Sequence, residues 1–416
     1  MKIGFFTDTY YPDISGVTVS LENFISSFRK KGNEVYLFAP KVRGYKDKDK
    51  NIFRINSLKV LSSEPEVRLP VLLPNKTMQK MFSLDLDLIH AHGNGAFSLL
   101  GYQVARLKNI PYILTFHTIH TEYTHYFFKG KLVTPTMVAQ GLHIFANLCD
   151  GVVVPSEKMA DELRNYGFKG DIKVIPSFIN FKKFKNVDKG YLHKKLNLPQ
   201  EIPIVLSVGR LGIEKNFNFL IRSFQKLSKM NKEAHFVIVG RGPEKNNLWK
   251  LAKKLGVEKR VHLIGKLDVN RMPYVYADAK VFIFASETET QGICVLEAAA
   301  SGLPIVIVSD PAFKNVVVDG LNGFSVPPDE KVFAQKTASI LENSYLQSKC
   351  SKNSWDFANN NFKPEKLTLE ALNYYKEIIE QHKTKKRILR RIINKASFIN
   401  FLEINKKINK LLRYEE

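Results

Sequence analysis

The feature that most constrains this chain is a repeated alternation. Short apolar, β-branched runs are separated by amphipathic stretches long enough for helices. The first series is KIGFFT (2–7), VYLFAP (35–40), DLIHAH (87–92), YILTFH (112–117), GVVVPS (151–156) and KVIP (173–176). A second series is IVLSVGR (204–210), HFVIVG (235–240), VHLIG (261–265), VFIFAS (281–286) and PIVIVS (304–309). Strands that are apolar throughout are buried on both faces, and strands alternating with helices pair in parallel. The expectation is an α/β chain with two Rossmann-like, doubly wound domains facing across a cleft. Ligands then sit beyond the carboxyl ends of the strands. A length of 416 residues fits two such domains.

Between them, residues 177–203 lose periodicity and become rich in lysine. The predicted organisation is an N-terminal domain over 1–178 and a C-terminal domain over 179–355. A helical segment, 356–381, would cross back to the first domain, and a basic tail would occupy 382–416. Pro364 suits the first turn of the crossing helix, where a missing N–H costs nothing. In the tail, Ile388, Ile392, Ala396 and Ile399 follow helical spacing with Lys and Arg on the other face.

The net charge of +23 invites an anionic partner. Much of it is local: over residues 381–416, Lys and Arg outnumber Asp and Glu 11 to 3. Such a tail suits the anionic face of a membrane, each cation contributing on the order of 1 kcal/mol. The alternatives are a tail packed on the protein or solvated. A nucleic-acid-binding protein would also explain the charge, yet no recognisable module or aromatic–basic interleaving is present. Cys149, Cys294 and Cys350 are too few and too scattered for a disulfide framework or a zinc site. No apolar run approaches spanning length, and the first residues lack the pattern of a signal peptide. The expectation is a cytoplasmic protein, peripheral on the inner face of the cell membrane.

Several stretches follow the predicted strands directly. TDTYYPDISGV (7–17) brings Asp13 and Gly16 to the start of a helix, where a glycine lets backbone N–H groups approach an anion. Its spacing is not that of a dinucleotide fingerprint. TFHTIHTEYTHY (115–126) crowds His117, His120, Glu122 and His125. Without a recognisable zinc spacing or outer shell, His120 and His125 read as a polar loop, and no metal site is expected. His117, at a strand end, is the candidate for the cleft. In SVGRLGIEKN (207–216), Arg210 and Lys215 flank a glycine-bearing turn and suit a diphosphate, Arg by bidentate contact and Lys as a point charge. Gly240 lies in the tight loop of VGRGPEKNNL (239–248), which either packs against a nucleoside or simply turns the chain. In SETETQGICVLEAAA (286–300), Glu289, Gln291 and Gly292 precede a helix that carries Glu297. Carboxylates there accept from sugar hydroxyls, and the helix N-terminus suits phosphate. The two glutamates would reach different parts of one long ligand, a nucleotide sugar.

PDISGV, the His117-Thr118 pair, GR…EK at 209–215 and E-x7-E at 289–297 together resemble the retaining glycosyltransferases of family 4, which have the GT-B fold. The resemblance spans about residues 1–380. The variant ETQG at 289–292 is most similar to members that glucosylate diacylglycerol. Ser15-Gly16 stands where the family often has two glycines. The resemblance implies transfer of glucose from UDP-glucose to diacylglycerol or monoglucosyl-diacylglycerol with an α-linkage. It places Glu289 on the donor sugar, Glu297 on the ribose, Arg210 and Lys215 on the diphosphate, and Gly16 on the phosphate through its backbone. His117 falls near the reacting carbon and Asp13 on the acceptor side. It implies no cofactor and no metal. A soluble sugar or polysaccharide acceptor would use the same donor residues.

Overall fold

The computed structural model describes residues 1–13, 15–59, 68–117 and 135–385. His120, Glu122, His125 and the tail from 386 lie outside the described residues.

The first sheet takes β1 (Lys2–Thr7), β2 (Glu34–Pro40) and β3 (Ile52–Ile55), then β6 (Leu88–His92), β7 (Tyr112–Thr115), β8 (Gly151–Val154) and β9 (Ile172–Val174). A short antiparallel pair, β4 (Ser57–Lys59) with β5 (Arg68–Pro70), stands apart from it. The sheet order is β3-β2-β1-β6-β7-β8-β9, and every pairing is parallel. The second sheet contains β10 (Ile204–Val208), β11 (His235–Val239), β12 (Val261–Gly265), β13 (Val281–Phe284), β14 (Ile305–Val308) and β15 (Gly323–Val326). Its order is β12-β11-β10-β13-β14-β15, again parallel throughout. The two doubly wound domains expected from the alternation are both present. β3 and β15 were not expected: Ile52–Ile55 carries an arginine, and Gly323–Val326 carries a glycine and a serine, so neither reads as an apolar run.

Topology places the site. The strand order reverses between β1 and β6 in one sheet and between β10 and β13 in the other. A crevice opens at such switch points, beyond the carboxyl ends of those strands. The loops starting at Asp8, Gly93, Gly209 and Ala285 are therefore the ones that can meet a ligand.

The helix Gly16–Lys30 shows how local sequence serves this plan. Ser15 caps its start by accepting from the Thr18 N–H, and Arg29 and Lys30 complement its last turn. Leu21, Phe24, Ile25 and Phe28 line its buried stripe at helical spacing. That stripe enters a core that runs on through Phe178 of the linker to Phe282 and Leu296 of the second domain. Separate cores fill the outer faces of the two sheets. The domains thus share packed apolar surface rather than merely facing each other.

The expected boundary at 355 falls inside the helix Ser344–Asn361, which packs on the second domain. The crossing helix spans 364–385 and begins at Pro364. Its Tyr374 hydroxyl reaches the Val152 carbonyl of β8, and Tyr375 reaches His90 of β6. His382 lies 3.4 Å from Asp150. The last described helix therefore straps the two domains together.

Candidate active site

On the C-terminal side, the chain after β10 forms a tight turn, Ile213–Lys215, against the loop that follows β13. The Ser286 hydroxyl donates to the Glu214 carbonyl, and the Asn216 amide donates to Glu287 Oε1 over 2.9 Å. Lys215 Nζ donates to Glu289 Oε1 in a mostly buried ion pair. The cation expected to meet a diphosphate and the carboxylate expected to meet a sugar are therefore immediate neighbours. Arg210 lies on the same β10 extension. That extension is held by the Gly209 N–H donating to the Val239 carbonyl and the Leu211 N–H to the Arg241 carbonyl.

Gly240 has a packing reason to be glycine. A Cβ there would lie 1.8 Å from the Gly209 carbonyl oxygen, and one at Gly242 would lie 2.3 Å from that of Leu211. The two loops cross at backbone contact, which no side chain permits. Gly292 is required twice over. Its φ is +70°, and a Cβ would sit 2.6 Å from the Phe313 ring. It opens the helix Ile293–Ala300, whose first turn has no side-chain cap. Uncapped N–H groups at a helix start attract anions.

Glu297 is partly buried in the second turn of that helix and accepts a 2.8 Å hydrogen bond from Tyr276. Burial raises its carboxyl to about 7, opposed by the Tyr276 hydrogen bond and by Lys183. Below that pH the carboxyl is largely protonated; above it the carboxylate accepts from hydroxyls.

The N-terminal side is built of neutral rings. His117 follows β7. Its Nε2 is 3.0 Å from Nδ1 of His92, and burial lowers its pKa to about 4. The Thr290 hydroxyl donates to the His117 carbonyl over 2.9 Å, tying the acidic loop to this side. Gly16 faces the start of the helix Ile293–Ala300, since its missing Cβ would lie 3.5 Å from Ile293 Cδ1. Asp13 is exposed in the loop after β1, where its carboxylate accepts from Thr9 Oγ1 at 3.4 Å.

Gln291 belongs to the loop expected to contact the donor. Its amide is buried against the linker, accepting from the Ser177 N–H and donating to the Ser177 carbonyl, both at 2.8 Å. Only its main chain remains for a donor, and its side chain locks the loop to the domain junction. Lys158 adds a second link between the domains, 2.8 Å from Asp310.

Other contributors escaped the sequence reading. His90 and His92 alternate on one face of β6, a signal that period-two reading supplies. Tyr276 and Thr290 carry none, because their roles depend on partners distant in the chain. Among the described residues, no group of His, Cys, Asp or Glu is arranged to hold a metal ion, and no helix is long and apolar enough to cross a membrane.

Comparison with known proteins meets this geometry. Residues 14–183 match Glycosyltransferase Family 4, and residues 188–356 match Glycosyl transferases group 1. The chain is 33% identical over 334 residues to the alpha-monoglucosyldiacylglycerol synthase of Streptococcus pneumoniae, covering 78% of this chain and 74% of that protein. It is 29% identical to the enzyme of the same name from Acholeplasma laidlawii, over 92% of this chain and 99% of that one. Among solved structures, a sucrose-phosphate synthase from Thermosynechococcus elongatus superposes with a TM-score of 0.75 at 20% identity, covering 91% and 99% of the two chains. Anabaena HepE, solved with UDP and glucose, gives 0.72 at 17% identity, covering 91% and 100%. These structural likenesses establish the two-domain GT-B fold.

Proposed function

Because the chain belongs to glycosyltransferase family 4, we propose that it moves glucose from UDP-glucose to a membrane lipid, diacylglycerol or monoglucosyl-diacylglycerol, with retention of the α configuration. That it is a glycosyltransferase follows from the family; the donor, the stereochemistry and the acceptor are the proposal. The observation that carries it is the Lys215–Glu289 pair beside the uncapped helix start at Gly292. One cluster thereby offers a cation and free N–H groups to a diphosphate and a carboxylate to a hexose.

In this reading Arg210, Lys215 and the helix start take up the charge of the departing diphosphate, so no metal or other cofactor is invoked for that task. The backbone of Gly16 approaches the same phosphate from the opposite domain. Glu297 accepts from the ribose hydroxyls, and Glu289 with the main chain of Gln291 and Gly292 grips the glucose. Gly240 shapes the floor behind Arg210. The bond from the glucose C1 to its phosphate oxygen breaks, the acceptor hydroxyl oxygen bonds to C1, and its proton leaves to the diphosphate. His117 borders that carbon as a neutral ring, and Asp13 stands on the acceptor side. Preorganised donors aimed at developing charge are worth roughly 10²–10³ in rate each.

The lipid acceptor is supported by the names of the two relatives and by the ETQG loop. Attachment to the inner, anionic face of the membrane rests on the net charge of +23 and the basic sequence of 382–416. Nucleic acid is not part of this reading.

The test is incubation with labelled UDP-glucose and vesicles containing diacylglycerol, followed by lipid extraction. Label in an alkali-stable glucosyl lipid supports the proposal. Label transferred only to a water-soluble sugar moves the chain to the soluble-acceptor branch of the family. Label transferred only from another nucleotide sugar overturns the donor.

A further inference from the structure

Three histidines sit in contact behind the N-terminal wall, and only the outermost, His117, reaches the cleft. His90 and His92 project from the same face of β6 and are 2% and 1% exposed, cut off from bulk solvent. His90 uses both of its nitrogens: Nδ1 meets the Tyr375 hydroxyl and Nε2 meets Thr115 Oγ1 at 2.7 Å. Its ring packs on His92 with centroids 4.3 Å apart. His92 is held differently. Its Nδ1 is 3.0 Å from His117 Nε2, and its own Nε2 is buried with no hydrogen-bond partner among the described residues. Phe5 and Phe24 wall the ring, with centroids 5.0 Å and 6.1 Å away.

This arrangement restricts where the protons lie. Burial and mutual repulsion keep His90 and His92 neutral, and burial alone does so for His117, so each ring carries one N–H. One proton bridges His92 and His117. If His117 donates it through Nε2, the proton of His92 must sit on its own Nε2, a buried N–H with no acceptor among the described residues. If His92 donates through Nδ1, its Nε2 is a bare lone pair instead. In folded proteins orphaned buried N–H groups are rarer than under-satisfied acceptors. The second arrangement places the proton of His117 on Nδ1, on the side of the ring turned from His92.

We infer that His92 is a positioning residue that fixes His117 as its Nδ1–H tautomer and so presents a hydrogen-bond donor, not an acceptor, to the sugar in the cleft. The pairing of the rings and the Thr290 bond to the His117 carbonyl hold that donor from two sides. The inference rests on the proposed placement of His117 beside the donor sugar for its catalytic meaning, but the tautomer itself can be read without turnover.

The experiment uses the full chain labelled with ¹⁵N-histidine and long-range ¹H–¹⁵N spectra, the resonances assigned by loss in His117→Gln and His92→Asn. In the native protein both His92 and His117 are expected to be protonated at Nδ1. His92→Phe removes the bridging donor. It should return His117 to a mixture of tautomers and lower kcat by roughly 10–100-fold, the scale seen when outer partners of oriented histidines are lost. Binding of UDP, held by the other domain, should be unchanged. His92→Asn, whose amide can still donate, should keep kcat within about tenfold of native on the same scale. A native His117 protonated at Nε2 overturns the inference. So does a His92→Phe protein with an unaltered His117 spectrum and native kcat. Should His92→Phe fail to fold, the native spectrum alone decides. Should the protein prove to use another sugar, the spectrum still reports the tautomer, so the two readings fail separately.

Discussion

The two walls of the cleft solve different problems with different chemistry. The C-terminal wall is charged: Lys215 pairs with Glu289, Arg210 lies on the neighbouring turn, and Glu297 is held near neutrality by burial. The N-terminal wall is uncharged: His90, His92 and His117 are all driven below the ordinary imidazole range by burial. Cations are therefore concentrated where a diphosphate would depart, and a stack of neutral imidazoles backs the opposite wall behind His117. Among the described residues, Asp13 is the exposed carboxylate that the acceptor side adds to these neutral rings. The links at Thr290 and Gln291 come from the loop that carries Glu289, whereas Lys158 reaches Asp310 from the helix Glu157–Asn165 of the first domain.

The comparison can be broken most sharply at Lys215. Lys215→Ala should lower kcat by roughly 10²–10³, the scale of removing one preorganised donor from a developing anion. It also strands Glu289 without its cation. Near-native turnover, measured with saturating donor, would show that the charged wall does not hold the diphosphate.

Gly292→Ala probes the shape of that wall rather than its charge. The added methyl would enter the Phe313 ring at a backbone conformation that alanine disfavours. A loss of about 1–3 kcal/mol in chemical denaturation is expected. A neutral substitution would mean that the helix start is not fixed by this glycine.

Glu297 gives the comparison a pH axis. Its carboxyl is raised from 4.5 to about 7, so the empty folded protein favours the protonated form across that window. The stabilisation that protonation brings is complete below 4.5 and is lost as pH rises through about 7. If the carboxylate is the form that accepts from ribose, uridine affinity should rise with pH up to about 7, by at most about tenfold per unit. Glu297→Gln should remove the slope. Calorimetric titration of uridine, which carries no phosphate to ionise, checks both. A native protein with flat affinity would separate Glu297 from the ribose.

The smallest effect on turnover is expected at the link. Lys158→Ala removes the 2.8 Å pair with Asp310 that joins the domains. The pair is as buried as Lys215–Glu289, so stranding Asp310 should cost on the order of 1–3 kcal/mol of stability while leaving kcat close to native. A change in kcat larger than the change in stability would sharpen the picture, by showing that the link also sets how the walls meet.

The strands of both sheets were legible wherever the residues were apolar throughout, because burial on two faces leaves an unbroken β-branched run, as in IVIV at 305–308. Glu289, Arg210 and Lys215 stood out because each follows a strand end, and Glu297 because it lies in the helix that the same loop opens, positions that sequence order alone reveals. What was not legible depends on closure of the fold. Gln291 reads as one more polar loop residue until its partner, Ser177, is seen 114 positions away. The Tyr375–His90 contact spans 285 positions and joins a helix to a strand of the other domain. No periodicity encodes such pairings. The boundary expected at 355 lies inside the helix Ser344–Asn361, because a helical pattern in the sequence does not mark where one helix ends and the next begins.

The central claim is that one wall holds the nucleoside diphosphate. A crystal structure of the protein with UDP tests it most directly. The account predicts the diphosphate against Arg210, Lys215 and the first turn of the helix Ile293–Ala300, with the ribose hydroxyls on Glu297. UDP bound elsewhere, or in this cleft with its phosphates turned toward the three histidines, would contradict it.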